Sequence, residues 1–207
     1  MILKNKTAIV TGASKGLGKA IATVLTQKEV KVFGLARNEK ALQEIQRELG
    51  DKFIPVKMDL TDEKALSAWV ENTFTVETAP NILINNAGIG SFHKIDELSA
   101  KDWLDMVNIN LNGMYFITSK VAALMKKKKD FSHIINIGSI LGTMGREDGA
   151  AYCTTKFGVN GFSDSLFKEL RRFNIKVTCF NFLDSWFEHV FGRQNVVQFF
   201  FRQQLMF

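Results

Sequence analysis

Cysteine, proline and histidine are scarce in this 207-residue chain, which has two, two and three of them. Cys153 and Cys179 have neither metal-ligand nor disulfide-framework spacing, so reduced thiols of a cytoplasmic protein are expected. His93, His133 and His189 stand singly, and no metal site is expected. Long apolar runs are missing too. No segment reaches the ~18 apolar residues of a membrane span, and Met1-Ile-Leu-Lys-Asn-Lys lacks the apolar stretch of a signal peptide. Repeats, low-complexity linkers and signs of a second domain are absent. The net charge is +6, but no stretch interleaves Lys and Arg with base-stacking aromatics, so nucleic acid is not expected as a partner. A phosphate-bearing cofactor and an acidic partner account for the basic balance equally well.

What is present is an alternation. Short apolar runs at Thr7–Val10, Lys31–Ala36, Phe53–Met58, Asn81–Asn85, His133–Gly138 and Lys176–Asn181 read as strands, the third broken early by Pro55. Between them lie helical patterns. Leu17–Gln27 has apolar residues at helical spacing, and Glu39–Leu49 ends at a Gly50 C-cap. Lys64–Thr73 takes Thr61 as N-cap, and Ser99 caps one long helix from about Lys101 to Lys127. Ala150–Phe173 is a second long helix. Such alternation means right-handed βαβ units and an α/β, Rossmann-type doubly wound parallel sheet flanked by helices.

The first strand runs into Thr11-Gly-Ala-Ser-Lys-Gly-Leu-Gly18, which opens a helix. Gly12 permits a tight turn, Gly16 lets backbone approach a pyrophosphate, and Gly18 allows close helix–strand packing; Ser14, Lys15 and Leu17 complete the turn. At the end of the second strand an NAD site usually carries a carboxylate for the ribose 2′-hydroxyl. Here stands Leu35-Ala36-Arg37, with Lys15 in the phosphate turn. Two cations suit the 2′-phosphate of NADP(H).

Ser139, Tyr152 and Lys156 follow at the spacing Ser-x12-Tyr-x3-Lys. Tyr152 and Lys156 are one helical turn apart, so both project from one face. An ammonium beside the phenol favours the phenolate and makes the tyrosine a usable acid–base. Ser139 is placed to donate to a carbonyl oxygen that gains charge as hydride arrives.

With these motifs the chain resembles the short-chain dehydrogenase/reductase family over residues 1 to about 181. Thr11–Gly18 is similar to the family's glycine motif, Asp59-Leu60 to its adenine pocket, and Asn85-Asn86-Ala87-Gly88 to its strand-four motif. The resemblance implies that Asn110 joins Ser139, Tyr152 and Lys156 in a catalytic tetrad and anchors a proton-relaying water. It also implies that Lys156 and Tyr152 contact the nicotinamide ribose. Ile137–Gly145 is most similar to the 3-oxoacyl-acyl carrier protein reductases, which implies a homodimer or homotetramer. It further implies an acidic acyl carrier protein docking on Lys126–Lys129 and Arg171-Arg172. Cations at helix C-termini are favoured by the dipole in any case, and a carbonyl or alcohol dehydrogenase acting on small substrates is the competing reading.

After Asn181 the family's Pro-Gly, substrate lid and last strand are replaced by Phe182–Phe207, which holds 7 of the 18 Phe. A domain of residues 1–181 followed by an atypical tail, 182–207, is therefore expected. A reading-frame change near residue 181 is the favoured explanation, since TTC-CTG-GAT for Phe-Leu-Asp contains CCT-GGA for Pro-Gly. A membrane-surface anchor and a lid for an unusual substrate are the others. The alternative function that follows is a dinucleotide-binding protein with impaired turnover.

Overall fold

The computed structural model describes residues 2–128 and 130–182. Six strands, β1 (Thr7–Thr11), β2 (Lys31–Ala36), β3 (Phe53–Lys57), β4 (Ile82–Asn85), β5 (Ser132–Ile137) and β6 (Ile175–Phe180), form one sheet. All pairings are parallel, in the order β3-β2-β1-β4-β5-β6. Six α-helices connect or extend them: α1 (Gly16–Gln27), α2 (Glu39–Leu49), α3 (Glu63–Thr73), α4 (Ala100–Val107), α5 (Met114–Lys128) and α6 (Ala150–Leu170). The doubly wound sheet expected from the alternation is present.

Alternate residues of the central strands feed two cores. Ala8, Val10, Ile82 and Ile84 pack with α1 and α2, while Ile9 and Leu83 pack with α3 and α5. Every one of these six is fully buried, which is why these strands read as unbroken apolar runs. Edge-to-face contacts among Phe33, Trp69 and Phe74 close the second core under α3.

Four local expectations are corrected. Pro55 does not break β3, because among the described residues β3 is an edge strand and needs a ladder on only one side; Pro55 pairs with Gly34. Asp62, not Thr61, caps α3 by accepting from the Ala65 N–H at 3.0 Å. Thr61 is occupied elsewhere, its hydroxyl donating to Asp59 at 2.8 Å. The single helix expected over 101–127 is divided by a π-helical turn, Asn108–Gly113, which turns Asn110 inward. The last long helix stays α-helical to Leu170, and Arg171–Phe173 tighten into a 3-10 turn ended by Asn174 at φ 61°. Gly50 does end α2, at φ 74°.

Among the described residues β6 is the sheet's edge. Phe182 lies just beyond it, buried and in ring contact with Phe180 at 4.3 Å. Its carbonyl accepts from the Ile140 N–H at 2.8 Å, so the first residue of the Phe-rich tail belongs with the core. The expectations for the remainder of that tail, and for Lys129, lie outside the described residues.

Candidate active site

A cleft of about 740 Å³ opens beyond the C-terminal ends of β1, β2 and β4. β1 sits between β2 and β4, where the strand order reverses, so no connection crosses this end of the sheet and a crevice remains. Gly12, Ser14, Lys15 and Gly16 form one wall, and Arg37, Asp59 and Leu60 the end beyond β2. Asn86, Ala87 and Gly88 face them from the end of β4.

Gly12 and Gly16 hold φ of 66° and 56°, where a side chain is strained. Thr11 braces the turn, its hydroxyl accepting from the Asn86 and Ala87 N–H groups at 3.0 Å each. Asn86 reciprocates, donating from its amide to the Thr11 carbonyl at 2.9 Å. Gly18 is buried behind the turn, and a Cβ there would collide with the Gly12 carbonyl and the Asn86 amide. Leu17 packs against the core and does not line the cleft. Asn85 is buried below, donating to Thr118 at 2.9 Å and Asn136 at 2.8 Å, which ties α5 to β4 and β5.

At the far end Asp59 accepts from Thr61 through both backbone N–H, at 3.0 Å, and hydroxyl. The Thr61 N–H, outweighing burial, holds the Asp59 carboxyl below its usual range, with help from the Thr61 hydroxyl and the Arg37 guanidinium. A carboxylate and a guanidinium therefore occupy one end of the cleft.

Lys156 lies just past Gly88 on the opposite side, although Ser139, Tyr152 and Lys156 are not among the residues that line the cleft. Lys156 and Tyr152 are both buried on α6, with the Lys156 Nζ 5.6 Å from the Tyr152 ring centroid. Lys156 is fixed by donating to the Ile137 carbonyl at 2.9 Å. Ser139 is buried at the start of the 3-10 turn Ile140–Gly142, its Oγ accepting from the Leu141 N–H at 3.1 Å. Asn110 accepts from the Ile89 N–H and donates to the Ile89 carbonyl, both at 2.8 Å, and donates to Thr155 at 3.0 Å. Gly88 connects the two ends. A Cβ on it would stand 3.2 Å from Asn110 Oδ1 and 4.0 Å from Lys156 Nζ.

Residues that sequence reasoning missed also shape the site. Thr155 joins Asn110 to α6 and donates to the Tyr152 carbonyl at 2.8 Å. Ile89 and Ile109 line the cleft, as does Asn38, which caps α2. No periodicity flags Thr155 or Ile109, because their roles depend on packing between distant segments; Asn38 was legible as a polar residue preceding a helix.

A parallel sheet with a glycine-turned crevice at its switch point defines a dinucleotide-binding protein. Residues 6–182 match the short chain dehydrogenase family, and the chain belongs to it. The 3-oxoacyl-(acyl-carrier-protein) reductase FabG of Haemophilus influenzae is 36% identical over 175 residues, covering 84% of this chain and 72% of that relative. A metagenomic short-chain oxidoreductase solved in complex with NADP superposes with a TM-score of 0.87 at 29% identity. It covers 97% of this chain and 90% of that one. The 3-ketoacyl-(acyl-carrier-protein) reductase from Brucella melitensis, complexed with NADH, gives 0.83 at 28% identity, over 87% and 76%. The chain is an oxidoreductase of nicotinamide-cofactor type. No helix among the described residues is long and apolar enough to cross a membrane.

Proposed function

We propose that the chain is an NADP(H)-dependent carbonyl reductase, with 3-oxoacyl thioesters as its leading substrate class. The observation that carries this reading is the Lys156 ammonium, 5.6 Å from the Tyr152 ring centroid and close to Gly88 of a cleft that Lys15 and Arg37 also line. The cleft fits a dinucleotide: Gly12 and Gly16 turn the chain at positive φ, a Cβ on Gly16 would meet nothing within 4 Å, and Gly88 keeps the passage to Lys156 open. Lys15 and Arg37 would meet a 2′-phosphate, and Asp59 the adenine; relatives with NADP and with NADH exist, so these two cations make the choice.

When bound, the reduced nicotinamide supplies hydride. Tyr152 gives its hydroxyl proton to the carbonyl oxygen, and the Lys156 cation favours the phenolate left behind. Ser139 already accepts from Leu141, which leaves its own O–H to donate to the same oxygen. Both Asn110 amide N–H groups are used on Ile89 and Thr155 and its Oδ1 accepts from Ile89, so its side chain braces the site.

A homo-oligomer is supported by the exposed Trp103 and Leu104 of α4, Tyr115 of α5, and Phe157 and Phe167 of α6. Docking of an acidic carrier protein would use Lys127, Arg171 and Arg172. Lys126 pairs with Glu169 at 3.5 Å, and burial pushes Lys128 down in pKa while it donates to the Ala79 carbonyl. NADPH oxidation with a 3-oxoacyl thioester, measured beside NADPH binding, tests the reading. Binding without oxidation of this or any other carbonyl substrate would favour the second reading, a cofactor-binding protein impaired by its altered C-terminus.

A further inference from the structure

The two loops that flank Tyr152 carry a feature the proposed chemistry does not use. Phe92, on the loop after β4, lies 5.5 Å from the Tyr152 ring, and the Arg146 guanidinium lies 4.3 Å over the Phe92 ring. His93 N–H donates to the Asp148 carbonyl at 2.8 Å, so the loops are tied side by side. The same two loops expose Ile89, Phe92, Ile95 and Met144 beside the charged Lys94, Asp96, Glu97, Glu147 and Asp148. Arg146 is itself exposed, and among the described residues no carboxylate lies within ion-pairing distance of it, although Glu147 and Asp148 follow in the chain.

Stacking on an aromatic face orients a guanidinium while leaving its N–H edge available for a bidentate oxyanion. Two ring contacts separate the guanidinium from the candidate proton donor. We propose that Arg146 is a specificity residue, which selects carbonyl substrates bearing a carboxylate or phosphate a few carbon–carbon bonds from the reacting carbon. The inference rests on the reductase reading. In that reaction the carbonyl carbon takes hydride from the reduced nicotinamide, the oxygen takes the Tyr152 proton, and the anionic group is unchanged.

The test compares substrates that differ in charge. The full chain, saturated with NADPH, is given 4-oxopentanoate and its methyl ester, then hydroxyacetone phosphate and hydroxyacetone. Wild type should favour at least one anion over its neutral partner by about ten-fold in kcat/KM, the size of one charge-assisted contact. The pair that responds says whether carboxylate or phosphate is the group read. In Arg146→Met that ratio should fall toward one, Arg146→Lys should keep part of it, and Phe92→Leu should reduce it. Calorimetric binding of the acids to the cofactor-loaded protein is measured in parallel. A ratio near one in wild type with both partners turned over, a ratio unchanged in Arg146→Met, or acid binding indifferent to that substitution would each overturn the proposal. Acid binding that depends on Arg146, without turnover of any carbonyl substrate, would uphold anion recognition and sink the reductase reading alone.

Discussion

The Tyr152 ring packs against Gly90, so close that a Cβ on Gly90 would stand 2.9 Å from one ring carbon and 3.0 Å from the next. Phe92 touches the same ring, and the loop after β4 therefore sets where the candidate acid stands. Gly90→Ala must move either the ring or the loop. Turnover should fall about ten-fold or more, as small displacements of a catalytic group do. NADPH affinity should change little, since Gly90 does not line the cofactor cleft. Steady-state rates and a fluorescence titration check both halves.

Removing the proton is more severe than moving it. Tyr152→Phe is expected to abolish nearly all NADPH oxidation and leave cofactor binding close to wild type, because only the hydroxyl is lost. Lys156→Ala should weaken both, as its ammonium serves the phenol and faces the cleft end at Gly88. Retention of wild-type rates by Tyr152→Phe would move the acid–base role to another group.

Cofactor choice is predicted to sit on Arg37. Charge-assisted contacts to a 2′-phosphate contribute about 1.5–3 kcal/mol, which implies at least a ten-fold preference for NADPH over NADH. Arg37→Ala should remove most of it through the NADPH dissociation constant alone. Equal affinities in the wild type would refute the assignment.

Acid stability should be governed in part by His133, buried in β5 with its Nε2 2.9 Å from the Thr178 hydroxyl. Burial first, and the Lys176 cation second, lower its pKa from 6.5 to about 3. The folded state thus refuses a proton that the unfolded chain accepts. Stability is fully present above pH 6.5 and is lost as pH falls toward 3, by about 1 kcal/mol for each pH unit. Denaturant midpoints at pH 7 and pH 5 should differ in this sense, and His133→Gln should flatten the difference. A wild-type midpoint independent of pH over that range would contradict the assignment.

Much of this was legible in the chain itself. Strand positions were readable because residues such as Ala8, Ile9 and Val10 are buried on both faces, which demands uninterrupted apolar runs. The glycine turn and the Ser139, Tyr152 and Lys156 spacing were readable because local backbone geometry and one helical turn dictate them. Edges and junctions were not. Pro55 is tolerated only because its strand lies at the sheet's rim, and Thr61 fails as a cap only because Asp59 holds it. The π turn depends on Asn110 finding Ile89 and Thr155, 21 and 45 residues away. Gly90 against Tyr152, and Arg146 over Phe92, likewise join segments far apart in the chain, and no local rule encodes their meeting. The sequence by itself determined the class of fold and the candidate site residues, since periodicity and spacing are local properties. Tertiary structure alone decided which of those residues face the cleft, which merely brace it, and what surrounds the reacting group, since those depend on long-range packing.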